Sequence, residues 1–260
     1  ACPEKSEKLT NFLSWLARAR LRAAEPVDAQ LHHVARPQPD LRVVTHADAA
    51  RNAGRSALLV DAPCEHLPPF GAFPDGELRK LLSAQPPYDA LAGVCFTHRH
   101  PDHYDAAAVA RLCAARPEVP LLLPEGERGT FAAGAFTIEY AQIPHVPVPA
   151  ELMLPHWALL VCGGGRALYI TADAVPDAEK HRAVLAGRTA DAAFWNSQVL
   201  AHAETRALLN ACARRNFIYH IPTDTPDPSG IRRKCERDWS RRSDELPTTQ
   251  LLYCGGEIEV

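Results

Sequence analysis

The densest chemistry in the chain lies in ten residues, Phe96-Thr97-His98-Arg99-His100-Pro101-Asp102-His103-Tyr104-Asp105. Three of the twelve histidines fall within six positions there, beside an aspartate. Imidazole nitrogen and carboxylate oxygen are the donors that zinc and similar divalent ions favour. In an extended loop alternate residues point the same way, so His98 and His100 can chelate one ion together. Asp102 and His103, further along, can face a second ion beside it. Without a cation, three imidazoles and a carboxylate this close crowd one another and repel on protonation, so a plain polar surface loop accounts for them poorly.

The loop has to be positioned by what flanks it. An apolar run, AGVCFT (92–97), precedes it, and a helical pattern, 104–115, comes after it. A strand end that opens into a loop is where an α/β sheet usually presents ligands. Further strands are expected at 41–44, 57–62, 120–123, 136–143, 157–162, 167–171, 191–195, 216–220, 250–253 and 257–260. These runs are mostly β-branched or aromatic and are bounded by Gly, Pro, Asp or Asn. Helices are expected at 76–84, 177–187, 202–214 and 229–243. Buried strands separated by helices fit sheets covered by helices. Residues 5–23 read as an amphipathic helix, with Leu9, Phe12, Leu13, Leu16 and Leu21 on one face. The polar, proline-containing stretch 25–40 reads as a connector. The expected layout is therefore an N-terminal helix and connector at 1–40 and one α/β domain at 41–260.

His98-x-His100-x-Asp102-His103, with Thr97 and an apolar strand before it, resembles the HxHxDH signature of the metallo-β-lactamase superfamily. The resemblance spans roughly residues 41–260. It implies an α/β fold, a four-layer αββα sandwich, to which the N-terminal helix is an extension. It also implies later ligands in a fixed order. A histidine at a strand end is supplied by His145 in QIPH, with His156 in LPHWALLV as the alternative; His145 is favoured because it ends a strand and opens a proline-rich loop. An aspartate after an apolar strand is supplied by Asp173 in ALYITADA, although Ala172 stands where the family has glycine. Asp173 as a helix N-cap is the plainer reading of the same residue. A late histidine is supplied by His220 in NFIYHIPTD. By resemblance, His98, His100 and His145 hold one metal, Asp102, His103 and His220 hold a second, and Asp173 bridges. Asp61 in ALLVDAP is then an acceptor behind the metal loop that orients a ligand imidazole.

The activity that the resemblance implies is that of a metal-dependent hydrolase with two divalent metal ions, zinc first and manganese or iron as alternatives. Metal-activated water is its nucleophile, and Asp102 and His103 are its catalytic residues. The expected substrate is a small-molecule ester, lactone, thioester or phosphoester. Arg99, Tyr104, Trp195 and Asn196 either line its pocket or are simply packed or solvent-exposed, and the basic segment 231–242 either attracts an anion or is a solvated helix face. Competing readings are an iron-bound oxidoreductase of the persulfide dioxygenase type, an RNA-processing nuclease, and a non-catalytic scaffold. No GxSxG elbow or P-loop is present. A net charge of −3 over 260 residues argues against nucleic acid as partner. No apolar run approaches membrane-spanning length and no signal peptide is visible. Eight scattered cysteines with no CxxC pair read as free thiols of a cytoplasmic protein. A homo-oligomer is left open.

Overall fold

The buried runs pair into two sheets. The computed structural model describes residues 56–222 and 227–253 in full, and the strand backbones at 17–21, 41–45 and 256–259. The first sheet takes the early chain: β1 (Ala17–Leu21), β2 (Leu41–Thr45), β3 (Ser56–Val60), β4 (Leu91–Cys95) and β5 (Leu121–Leu122). Helices α1 (Asp75–Leu82) and α2 (Ala106–Ala115) make the crossovers on either side of β4. The second sheet holds β6 (Arg128–Ala133), β7 (Phe136–Gln142), β8 (Trp157–Gly163) and β9 (Arg166–Ile170) as an antiparallel meander. Then α3 (Ala178–Leu185), β10 (Ala190–Asn196), α4 (Ala203–Cys212), β11 (Ala213–Tyr219), α5 (Ile231–Ser240) and β12 (Thr249–Leu251) extend it with parallel pairings. Parallel neighbours require crossovers, which these helices supply. The last strand, β13 (Gly256–Glu259), returns to the first sheet and pairs with β1.

Three apolar clusters set the layers. Leu58 and Val60 of β3 meet Leu159 and Val161 of β8 and Phe194 of β10 between the sheets. The alternate residues of β3, Ala57 and Leu59, face Leu78 and Leu81 of α1 and Val109 and Leu112 of α2. Ala158 and Leu160 of β8 and Trp195 of β10 face α3, α4 and α5 through Leu185, Leu208, Leu209 and Cys235. Helix, sheet, sheet and helix thus stack in four layers, as the resemblance implied. Strands buried on both faces are apolar throughout rather than alternating, which is why they were legible as continuous runs. Each large side chain buried here contributes roughly 1.5–3 kcal/mol.

One expected element is corrected. Residues 17–21 of the expected helix 5–23 form strand β1, paired with β2 on one side and β13 on the other. The segment ARARL alternates small or apolar residues with arginine, a strand period, and two long-range partners outweigh local helical spacing. The rest of 5–23 and the connector 25–40 lie outside the described residues. β6 was not expected. It is a hairpin edge strand, RGTFAA, with only Ala133 buried, so it carries little apolar signal. Among the described residues six cysteines carry free thiols, and no helix is long and apolar enough to cross a membrane.

Candidate metal centre

In the second sheet β7 and β9 both run antiparallel to β8, so β7, β9, β10 and β11 share a direction. Their C-terminal ends therefore open at one edge, and the ends of β3 and β4 open together in the first sheet. The seven expected ligands all come after such ends: His98, His100, Asp102 and His103 after β4, His145 after β7, Asp173 after β9 and His220 after β11. They gather into two groups, His98 with His100 and His145, and Asp102 with His103, Asp173 and His220. Within each group the ligand atoms lie within 4.8 Å of one another.

The hydrogen bonds around these rings fix which nitrogen faces inward. The His100 Nε2–H donates to the Leu152 carbonyl at 2.7 Å, and the His145 Nδ1–H donates to the Val146 carbonyl at 2.6 Å. A carbonyl only accepts, so the inward nitrogens, His100 Nδ1 and His145 Nε2, are left bare, 3.1 Å apart. Asp61 does the same work behind the loop. Its Oδ1 accepts the Thr97 amide at 2.7 Å, and its Oδ2 accepts the Thr97 hydroxyl at 2.8 Å and the His103 Nδ1–H at 3.0 Å. With its hydrogen given to Asp61, the Thr97 oxygen accepts from His98 Nδ1 at 3.1 Å. His98 Nε2 is then buried without a hydrogen-bond partner. His103 Nε2 points at His220 Nε2, 3.0 Å away.

The bare His100 and His145 nitrogens repel at 3.1 Å, and the buried His98 Nε2 without a partner is costly. A cation satisfies both conditions, so the residues present fit a metal. Burial, helped by the neighbouring His103 and His156, holds the His98 imidazole well below its usual range, and burial lowers His220. Both are neutral and ready to ligate. His103 differs. Burial opposes its charge, but the Asp102 and Asp61 carboxylates raise it well above the usual range. In metal-free protein these two carboxylates therefore favour a proton on His103 that a metal must displace. We expect metal uptake at neutral pH to release a proton from His103. Affinity is expected to fall as pH drops below the raised His103 value, because the proton then competes more strongly. Calorimetry in buffers of different ionisation enthalpy checks this.

Asp173 Oδ2 lies 4.0 Å from His98 Nε2, 3.5 Å from His145 Nε2, and 3.4 Å from both His103 Nε2 and His220 Nε2. One oxygen thus faces both groups. Burial alone raises its carboxyl, but the imidazoles of His220, His103 and His145 around it hold it well below the usual range. The N-cap reading of Asp173 does not hold: Asp177 caps α3, accepting from the Glu179 and Lys180 amides.

Three strand ends at the site adopt the left-handed conformation: Asp61 (φ 54°), Ala172 (φ 43°) and His220 (φ 59°). Such strain clusters where geometry is over-determined by its surroundings. At Ala172 it explains why the related motif carries glycine. A left-handed alanine costs about 1–2 kcal/mol and glycine pays little of it. Ala172→Gly is accordingly expected to raise unfolding stability by about 1 kcal/mol in urea titration, with metal content unchanged.

Two residues that the sequence reading did not place as ligands hold the Asp173 turn. His156, the alternative to His145, has both nitrogens engaged, by the Ile143 carbonyl and the Asp173 amide, and so is no part of either donor group. Asn196 does not line a pocket; it is buried, and its amide donates to the Ala172 and Ala174 carbonyls, each at 2.9 Å. Trp195 is also corrected. It is buried on the helix side of the sheet, its Nε1–H given to Asn216. Tyr104 packs its ring on Phe96, against the core under α1 and α2. Arg99 is exposed and lines a cleft of about 480 Å³ with Glu125, Gln142, Leu154 and Trp157. Within 231–242, Arg233, Lys234, Arg237 and Arg242 pair with Asp227, Asp238 and Glu245, as in a solvated helix face.

No family profile and no curated protein matches the chain. Solved structures similar to it include the metallo-β-lactamase fold protein YhfI from Bacillus subtilis, with 15% identity and a TM-score of 0.48, covering 84% of this chain and 86% of that one. Zn(2+)-bound PqqB from Methylobacterium extorquens aligns at 14% identity and 0.45, covering 83% and 81%. CmlA, a diiron β-hydroxylase from Streptomyces venezuelae, aligns at 10% identity and 0.46, covering 82% and 49%.

Proposed function

We propose that this chain is a metal-dependent hydrolase of the metallo-β-lactamase superfamily with a dinuclear site. His98, His100 and His145 would hold one divalent ion, Asp102, His103 and His220 the other, and Asp173 both. The observation that carries this reading is the placement of Asp173 Oδ2 within 4.0 Å of imidazole nitrogens from the two groups at once. When bound, such a pair of cations lowers the pKa of water towards about 7 and polarises the substrate oxygen.

The chain's own residues supply the rest. Thr97 and Asp61 keep His98 and His103 oriented, and Leu152 and Val146 do so for His100 and His145. Asp102 Oδ2 lies 3.4 Å from His220 Nε2 and 3.8 Å from His103 Nε2. From there it can orient attacking water and accept its proton.

Two loops support a small substrate bearing an apolar group. Phe70 sets its ring on His220 at 4.0 Å between centroids, and Leu67, bridged to Phe70, is 38% exposed. Next to the other donor group, Leu152, whose carbonyl holds His100, is 52% exposed and Met153 47%. Three of the four exposed large apolar side chains among the described residues thus sit on loops anchored to site histidines. Esters, lactones and thioesters with an acyl chain match that rim better than a polyanion does.

Elemental analysis of protein purified without chelators tests the reading. Two equivalents of zinc or manganese, then turnover on a panel of ester, lactone, thioester and phosphodiester substrates, is the expected result. A stoichiometric iron centre with no turnover on that panel would move the assignment to oxygen chemistry, because the same donors also suit iron.

A further inference from the structure

We propose that His156 is a positioning residue that sets where the Asp173 carboxylate reaches between the two donor groups. The inference rests on the dinuclear reading of the site. His156 is 1% exposed, at the start of the strand that leaves the site. Its Nδ1–H donates to the Ile143 carbonyl at 3.1 Å, so Nε2 is bare, and that nitrogen accepts the Asp173 amide hydrogen at 3.1 Å.

Three ligand-bearing segments meet at this ring. The Ile143 amide donates back to the His156 carbonyl at 3.0 Å, tying the imidazole to the end of β7 that carries His145. The next residue, Trp157, donates its amide to the Thr97 carbonyl at 3.0 Å, which fixes the start of the His98 loop. The third segment is the Asp173 turn itself. The His156 ring lies 4.9 Å from that of His98 and 5.7 Å from that of His145, centre to centre.

The contact with Asp173 is to the main chain, and this separates His156 from a ligand. Asn196 holds the carbonyls of Ala172 and Ala174, and Val146 donates to the carbonyl of Asp173 at 2.7 Å. His156 takes the remaining Asp173 main-chain group, its amide hydrogen. Remove that acceptor and a buried N–H is orphaned on the residue that must span two ions, so the turn can rotate and the carboxylate withdraws from one of them.

The test compares parent, H156L and H156Q proteins, titrated metal-free with Co(II) and Zn(II) against a competing chelator. A glutamine amide offers one acceptor and one donor to the same two partners, whereas leucine offers neither. We expect H156L to weaken metal binding about 10- to 100-fold, the usual range for a partner that orients a ligand, and to alter the visible Co(II) spectrum. H156Q is expected to restore both. Tight binding by parent and H156L alike overturns the inference while leaving the dinuclear reading intact. A parent that takes up no metal overturns the dinuclear reading itself. A 113Cd–15N coupling on His156 in the cadmium-loaded parent makes it a ligand and overturns the positioning role. Should H156L fail to fold, the parent decides alone: a coupling across the hydrogen bond from the Asp173 amide to His156 Nε2 in loaded protein supports the role, and its absence overturns it.

Discussion

On the dinuclear reading, Asp173→Ala protein is expected to retain one equivalent of metal or less after dialysis and the parent two. Its turnover on the best substrate of the panel is expected to fall on the order of 10³-fold, the scale for losing a partner of developing charge. The reason lies in the single oxygen that faces His98, His103, His145 and His220. No other carboxylate in either donor group touches imidazoles of both. The main chain of the turn is held by His156, Val146 and Asn196, none of which uses the Asp173 side chain, so the variant should fold. Plasma mass spectrometry for metal and circular dichroism for fold check the two halves of the statement. Two retained equivalents would remove Asp173 from the bridging position.

Asp61→Ala is expected to cost about 3–5 kcal/mol of stability in the metal-free protein, measured by urea unfolding. Asp61 is buried and its carboxylate receives three hydrogens, from the Thr97 amide, the Thr97 hydroxyl and His103. Truncation leaves two of these donors, the Thr97 amide and His103 Nδ1–H, without an acceptor in the interior, and it takes away a charge that supports His103. Asp61→Asn separates hydrogen bonding from shape. It keeps a residue that tolerates the left-handed backbone but adds a donor where only acceptors fit. It should fall between parent and alanine in stability and weaken metal binding through a misdirected His103. Equal stability of all three would show that the carboxylate is idle.

The sheets were legible because their strands are buried on both faces and therefore read as unbroken apolar runs, such as ALLV in β3 and WALLV in β8. The helices were legible from spacing, with α2 opening at the Asp105 cap. The His98 loop was legible because its donors are close in the sequence, whereas His145, Asp173 and His220 were picked out by the ligand order that the resemblance implies. What holds the ligands was less so. That His156 accepts an amide rather than a metal depends on contacts with Ile143 and Asp173, neither adjacent in sequence. Asn196 was noticed for its place at a strand end, but the choice between pocket lining and packing stayed open because its two carbonyl partners lie more than twenty residues away. Residues 17–21 were misread because the pairing with β13 joins the two ends of the chain.

Each donor group takes side chains from both sheets: the His98 loop hangs from the first, and His145, Asp173 and His220 from the second. A cation bound in either group would therefore clasp the two sheets together at the strand ends that carry the ligands. Ion binding would then add to cohesion by mass action, and stripping the ions would free the two layers to part at that rim first. Protease nicking after chelation should accordingly begin in the segments bearing the ligands, ahead of the helices on the outer faces.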